Sequence, residues 1–506
     1  MDSAIPRNYV EYMEHINRNF RDKTAIYEKK NGNFFGKTLG QLYDDVQTFS
    51  KKLYTLGLKG KKIAVMGKNC YEWIVTYFSV VTYVGVLVPI DETWTTYDFK
   101  NILDTVDIEC IVCDEQTLDK VYPICIEKGI KTIEFRRDLE IYLSEKLSVN
   151  HIELDLDKKP EEMSVLAFTS GTSNKPKGVM LSQINLISNQ YGLRQLVPYE
   201  AEDRILLVLP LWHILTFNVY MAYHLHEGIS IYLTDMDNFI EDLRTVRPTS
   251  LPASPYMLEK IIKILDEKSM KRIQKDLVVS INLRKKGKDK RQKIFKDFHS
   301  IFGGKLRYIS IGGTNLRENI MKFYDNVGLN VLQGYGLTEC GPVITFNSYN
   351  NNILNTVGKV IYGQKVKIIE GNDSKIGEIA VKGKNVMLGY YNNDKLNEKS
   401  FTEDGYFKTG DLGYFDNTGS LHLVGRKKRL ITTSSGKNIY PGEIEKMIME
   451  FGKISKVVVY WDKTYLKVTI VTNLEEGQVI AILKDVNNKL PKYKRIKDFE
   501  IKRELR

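Results

Sequence analysis

LAFTSGTSNKPKGVMLS, residues 166–182, gathers Thr169, Ser170, Gly171, Thr172 and Ser173 and then sets Lys175 and Lys177 on either side of Pro176. Small residues bring backbone N–H groups close to a ligand, hydroxyls donate hydrogen bonds, and lysines supply charge. That inventory suits phosphate. A Walker loop needs glycine, four residues, then Gly-Lys-Ser/Thr, and Pro176 stands in the place of the second glycine. The stretch reads as a phosphate cradle of another kind, which the other motifs must identify.

At 506 residues the chain exceeds what one hydrophobic core supports, so two or more units are expected. Its apolar and charged fractions are those of a globular protein. The apolar run from Ile74 to Ile90, IVTYFSVVTYVGVLVPI, is shorter than the ~20 residues a membrane span needs. It also contains Gly85 and Pro89, so it reads as a buried helix turning into a buried strand. The polar N-terminus carries no signal-peptide core, and a cytoplasmic location is expected. Cys110 and Cys113 form a CxxC inside IECIVCDE, with no second pair at zinc spacing. Flanking isoleucine and valine make them reduced thiols of a buried strand.

The net charge of +11 is uneven. From Arg426 to Arg506 there are 19 Lys+Arg against 10 Asp+Glu, so that stretch alone carries +9. A second basic cluster, LRKKGKDKRQKIFKDFHS (283–300), lies between apolar segments and reads as a solvated helical face. Basic patches attract polyanions: nucleic acid, an anionic membrane, a phosphorylated cofactor or an acidic protein. Finger spacings and aromatic RNA-binding signatures are absent, so nucleic acid is not expected and membrane contact is peripheral at most.

Strand-like runs alternate with helical stretches: KKIAVMG (61–67), VLVPID (86–91), IECIVCDE, DRILLVLPL (203–211), ISIYLTD (229–235) and LRYISIGG (306–313). This is the rhythm of α/β architecture with largely parallel sheets. After residue 350 short β-like runs with Gly and Asn turns point to a twisted β subdomain. Beyond GRKKR (425–429) follow a helix near 442–452, the strands KVVVYWD and YLKVTIVT, and another helix. The expected organisation is a large N-terminal domain of two α/β sheets plus the β subdomain, residues 1–424, and a small α+β domain, residues 425–506, on a hinge.

Three further motifs carry chemistry. QGYGLTECGP (333–342) puts Tyr335, Thr338 and Glu339 on a glycine-bounded turn after an apolar strand. An acidic residue there would repel a pyrophosphate unless a cation intervened, which brings in Mg²⁺. FKTGDLG (407–413) holds Asp411 in a Gly-bounded turn, where a carboxylate can accept bonds from both hydroxyls of a ribose. GRKKRLITTSSGKNIYPGEIE (425–445) offers a fixed cation in Arg426 and a second Gly-containing loop. Each motif alone is also an ordinary loop, turn or packed tyrosine.

In order and spacing together, the four motifs resemble the adenylate-forming (AMP-binding) superfamily of acyl-CoA synthetases, luciferases and peptide-synthetase adenylation domains. The bacterial long-chain fatty acid–CoA ligases are the nearest match. The family's (Y/F)TSGTTGxPKGV corresponds to FTSGTSNKPKGV at 168–179, its YGxTE to 335–339, its TGD to Thr409–Asp411, and its GRxxxxIxxxGxxIxPxEIE to 425–445. The resemblance implies that Thr169, Ser170, Gly171, Thr172 and Lys177 form a loop on the β- and γ-phosphates of ATP. Tyr335 would stack on adenine, with Gly312, Gly313 and Thr314 lining the same pocket. Thr338 would touch the α-phosphate, and Glu339 would hold Mg²⁺. Asp411 would grip the ribose, with Arg426 beside it. Lys428 would be the hinge between two half-reactions, and Gly436 would line the tunnel for a pantetheine thiol. Thr172, Glu339, His213 and Lys428 are thus the expected catalytic set.

LPLWHILTFN (209–218) has His213 where amino-acid-activating relatives supply an aspartate, and no acid follows until Glu227. The segment is similar to the PLxH of acyl-CoA synthetases, where the histidine lies by the carboxylate pocket. A fatty acid is therefore the first choice of substrate and an aryl acid the alternative. CoA is the expected acceptor, and an acyl carrier protein would suit the basic tail equally. Family members end with a Gly/Thr-rich loop bearing a lysine; this chain stops at LPKYKRIKDFEIKRELR. Lys494 and Lys502 precede the position of that loop, and the expectation is a sequence cut short before it. A non-catalytic nucleotide- or acyl-adenylate-binding protein is the alternative from another class.

Overall fold

Short apolar runs become central strands when both faces of a sheet are covered. The computed structural model describes residues 5–169, 176–265, 270–273, 275–277, 290–313, 316–369, 375–432, 438–462 and 465–503. In it such runs build two large sheets. The first has seven strands in the order Gly389–Tyr390, Lys177–Ser182, Met163–Thr169, Val86–Ile90, Lys62–Met66, Cys110–Cys113 and Lys131–Glu134. Met163–Thr169 through Lys131–Glu134 run parallel, and the first two strands are antiparallel additions. The second sheet has nine strands, with the parallel series Asn330–Gly336, Tyr308–Ile311, Ser250–Ala253, Arg204–Leu207, Ser230–Leu233 and Thr24–Lys30 at its centre. One hydrophobic core joins residues of both sheets to the helices between them.

The run from Ile74 to Ile90 resolves as expected. Every residue of the helix Tyr71–Ser79 is buried, a π-helical turn Val80–Val84 follows, and the chain then enters the strand Val86–Ile90. No helix among the described residues is long and apolar enough to cross a membrane. Cys110 and Cys113 lie three apart on a strand, so their side chains point to opposite faces. Cys110 joins one core and Cys113 another, which rules out a thiol pair. In the cluster at 283–300, residues 283–289 lie outside the described residues. Beyond them Phe295, Phe298 and His299 face inward while Lys293, Lys296 and Asp297 face water.

The β subdomain is an antiparallel sheet of Gln364–Ile369, Gly377–Gly383, Phe407–Phe415 and Leu421–Arg426. A single turn, Lys427–Arg429, leads from its last strand to a smaller unit with its own apolar core. There the helices Pro441–Met449 and Glu476–Lys489 accompany a sheet of Ile454–Asp462, Tyr465–Thr472 and Ile496–Lys502. The last strand, parallel to its neighbour, was not anticipated, because its burial alternates among lysines and acids.

Candidate functional site

Asp411 stands inside a strand, not in the turn that TGD implied. Glu378 pairs with Leu412 and Ala380 with Lys408, so Thr409, Gly410 and Asp411 together oppose one residue. Pairing continues on both sides, which makes this a β-bulge, a device that re-aims a side chain. Gly410 adopts φ +73° there, a left-handed value suited to glycine. Thr409 Oγ1 donates to the carbonyl of Ile379 at 2.8 Å and accepts from Asp411 N at 3.1 Å, while Gly410 N donates to Glu378 Oε1 at 3.0 Å.

The bulge aims Asp411 at two partners. Arg426, its register partner on the next strand, lies with Nε 2.8 Å from Asp411 Oδ1. The Tyr335 hydroxyl donates to Asp411 Oδ2 at 2.8 Å. Burial pushes the Asp411 carboxyl above its ordinary pKa; Arg426 and the Tyr335 hydroxyl oppose this, and Glu339 and Glu378 add to it. Burial also holds the Tyr335 phenol well above its usual value, and the neighbouring Asp411 charge pushes it further. Tyr335 itself is the penultimate residue of the strand Asn330–Gly336, so it precedes the turn on which the sequence reading placed it.

That turn is Thr338–Cys340 and carries Glu339. Turn carbonyls cannot join a ladder, so buried side-chain amides satisfy them here. Asn385 Nδ2 (2.8 Å) and Asn189 Nδ2 (3.2 Å) donate to the carbonyl of Cys340 and Asn218 Nδ2 to that of Gly341 (2.8 Å); Asn189 Nδ2 also reaches Val343, the first residue of the next strand, at 2.7 Å. These asparagines escaped sequence reasoning because a lone Asn has no spacing signature. Tyr390 was missed for the same reason. Its hydroxyl donates to Glu339 Oε1 at 2.8 Å, and Lys177 Nζ lies 5.2 Å from its ring centre. Thr169 and Lys177 pair across the base of the loop between them. Ser170, Gly171 and Thr172 of that loop, with Thr314 and Gly436, lie outside the described residues.

Gly312 and Gly313 follow the strand Tyr308–Ile311, and a Cβ on Gly312 would sit 2.8 Å from Leu215 Cδ2. That contact brings the glycines to the segment after His213, whose Nδ1 accepts from Leu215 N at 3.2 Å. His213 is an exposed residue, and desolvation by surrounding protein lowers its pKa. Among the described residues no hydrogen bond joins His213 to Glu339 or Asp411. Lys428 lies exposed in the turn Lys427–Arg429. Lys427 Nζ there bonds Glu378 Oε2 at 2.7 Å. No group of three His, Cys, Asp or Glu among the described residues could hold a metal alone. One carboxylate, Glu339, fits a Mg²⁺ ion that takes its other ligands from phosphate and water.

A family model described as AMP-binding enzyme matches residues 13–391. The chain is 28% identical over 475 residues to long-chain-fatty-acid–CoA ligase FadD15 of Mycobacterium bovis, covering 87% of this chain and 77% of that protein. It is 25% identical over 479 residues to long-chain-fatty-acid–CoA ligase 5 of Mus musculus, covering 86% and 70%. Among solved structures, ATP-bound MatB from Rhodopseudomonas palustris shares the fold with a TM-score of 0.80 at 23% identity, covering 98% of this chain and 95% of MatB. The anthranilate CoA ligase AuaEII in complex with anthranoyl-AMP shares it with a TM-score of 0.81 at 17% identity, covering 99% and 94%. With most of its length, residues 13–391, matched by that family model, the chain belongs to the AMP-binding enzyme family.

Proposed function

We propose that the protein is an AMP-forming acid–thiol ligase, an acyl-CoA synthetase. The observation that carries this reading is the convergence of Tyr335, Asp411 and Arg426 beside Glu339, Tyr390 and Lys177. A carboxylate is a poor acyl donor because oxide would have to leave. In the first step a carboxylate oxygen bonds to the α-phosphorus of ATP, the bond to the β-phosphate oxygen breaks, and pyrophosphate departs. In the second the CoA sulfur bonds to the acyl carbon, its proton is lost, and AMP leaves. Negative charge accumulates between two anions in the first step, so donors and cations fixed around the phosphates supply most of the catalysis.

The roles follow the resemblance and the geometry. Thr169 and Lys177 hold the loop of Ser170, Gly171 and Thr172 on the terminal phosphates. Tyr335, with Gly312, Gly313 and Thr314, holds adenine. Asp411, restrained by Tyr335 and Arg426, accepts from the ribose hydroxyls. Thr338 meets the α-phosphate, and Glu339, oriented by Tyr390, is the carboxylate for Mg²⁺, which when bound would neutralise phosphate charge. His213 stands by the acid's carboxylate. Residues 425–506 turn about Lys428 between the steps, and Gly436 lines the path of the thiol. Long-chain acids are favoured by the names of the relatives, and CoA is favoured over a carrier protein for the same reason. The basic tail, +9 from Arg426 to Arg506, suits either anionic acceptor.

Mass spectrometry of products from protein, ATP, Mg²⁺, CoA and a panel of fatty and aryl acids tests the reading. An acyl-CoA product is expected. Glu339→Ala should abolish Mg²⁺-dependent pyrophosphate release while the circular dichroism spectrum persists. Undiminished release would refute the role of Glu339.

A further inference from the structure

Beyond the strand Arg204–Leu207 the chain runs Val208-Leu209-Pro210-Leu211-Trp212-His213 and leaves the ladder of the second sheet. Its backbone groups must then find other partners, and Pro210 has no N–H to offer. Asn69, which follows a strand of the first sheet, meets two of them. Its Nδ2 donates to the carbonyl of Leu209 at 2.9 Å, and its Oδ1 accepts from Leu211 N at 2.7 Å. One planar amide thus brackets Pro210 with a donor and an acceptor at once. Pro210 holds the next step. His213 N donates to the Pro210 carbonyl at 3.2 Å, and the His213 carbonyl accepts from Thr216 N and Phe217 N where the following helix begins.

The clamp is itself fixed. Asn69 is the third residue past the strand Lys62–Met66, and the helix Tyr71–Ser79 begins two residues after it. Between them Lys68 N donates at 2.9 Å to Oδ2 of Asp114, the N-cap of the helix Glu115–Lys128. A second tie comes from the neighbouring parallel strand, Val86–Ile90. Glu92 stands two residues beyond its end, where Lys120 Nζ donates to the carbonyls of Glu92 (2.9 Å) and Trp94 (2.7 Å). Burial raises the pKa of the Glu92 carboxyl, and a hydrogen bond from the Trp212 indole is among the effects opposing it. The Trp212 ring in turn stands edge-on to that of His213, with centres 5.8 Å apart. Two adjacent carboxyl ends of the first sheet therefore seat the segment that the second sheet delivers, and such carboxyl ends are where open α/β sheets bind ligands.

What this seat holds is a donor. His213 Nδ1 accepts from Leu215 N, so in the neutral ring the hydrogen sits on Nε2. An Nε2–H can donate to a carboxylate oxygen, and productive geometry for such a group tolerates displacement of only about 0.5 Å. We propose, resting on the acid–thiol ligase reading and the role it gives His213, that Asn69 is a positioning residue for the acid-activating step. It seats the His213 segment at the carboxylate of the incoming acid and acts on that acid only through His213.

The test is a double-mutant cycle, read as initial rates of pyrophosphate release with Mg²⁺ and the best acid of the panel above, varying acid and ATP in turn. Asn69→Ala should lower kcat/KM for the acid by about ten- to a hundredfold, the scale of a small misplacement at a reacting group, and leave KM for ATP within about twofold. In a His213→Ala background the same substitution should cost less than about twofold, because the group it positions is gone. Asn69→Asp keeps the size and the acceptor for Leu211 N but sets an oxygen against the Leu209 carbonyl. It should give the same pattern and serves if Asn69→Ala does not fold. Equal losses in both backgrounds, or a KM for ATP that rises with that for the acid, make Asn69 a structural residue and overturn the proposal. A His213→Ala protein as active as wild type removes the role of His213 and this inference while the ligase reading stands. Wild-type protein that yields neither adenylate nor thioester from any acid removes the ligase reading and this inference with it.

Discussion

Asp411 is a carboxylate kept where carboxylates are costly. Its pKa is raised by burial, with Arg426 and Tyr335 opposing only part of that effect. A carboxyl whose folded pKa exceeds its unfolded value binds its proton more readily when folded. Stability therefore falls as pH rises through that interval and stays lower above it. Asp411→Asn removes the penalty and keeps an oxygen for the Tyr335 hydroxyl. Thermal melts should show a higher Tm for Asp411→Asn at neutral pH, and the gain should shrink as pH drops into the carboxylate range. ATP titration should show affinity reduced more than about tenfold, the weight of charge-assisted bonds to ribose. A lower Tm at neutral pH would mean that the Arg426 pair outweighs desolvation. Thr409, Asp411 and Arg426 were legible in the sequence because motif order singled them out. Tyr390 and the asparagines under Glu339 were not, since they reach the site from distant positions and carry no local pattern.

One turn and one bulge show how far pattern reading goes for elements. Asn31-Gly32, with φ of 50° and 80°, joins the strands Thr24–Lys30 and Asn33–Thr38. Asn-Gly between strand-forming runs is a strong hairpin signal, and this hairpin could have been read from KKNGNF. TGD could not have been read so. A Gly-bounded triplet is equally compatible with a turn and with a bulge, and only the pairing of Phe407–Phe415 with Gly377–Gly383 selects the latter. Gly410→Ala tests what the bulge does. A Cβ there meets nothing within 4 Å, so the penalty is purely the left-handed backbone, about 1–2 kcal/mol. A urea midpoint lowered accordingly, with KM for ATP raised several-fold, is the expected outcome. Lost stability with unchanged KM would separate the bulge from ribose binding.

The whole molecule has a seam at Lys427–Arg429. Before it, Arg426 and Lys427 bond Asp411 and Glu378 of the β subdomain. After it, Arg429 bonds Glu445 on the helix Pro441–Met449 of the smaller unit, which has its own core. Lys428, exposed between these anchors, is the hinge proposed above. Lys428→Pro, which fixes one backbone torsion, should spare pyrophosphate release and block thioester formation by at least about tenfold. Equal loss of both steps would make the residue structural instead.

Alternation of apolar runs with helical stretches sufficed for the α/β architecture, because burial on both faces of a parallel strand writes itself into consecutive residues. Motif order sufficed for the phosphate cradle at 166–182 and for the family it resembles, because ATP demands particular residue types at particular places. What the chain could not declare is whatever depends on two distant segments meeting. That Cys110 and Cys113 enter different cores, that Tyr335 and Arg426 restrain one carboxylate, and that Asn69 clamps Leu209 and Leu211 are facts of packing. Each is set by the register and layering of whole sheets, which no window of sequence contains.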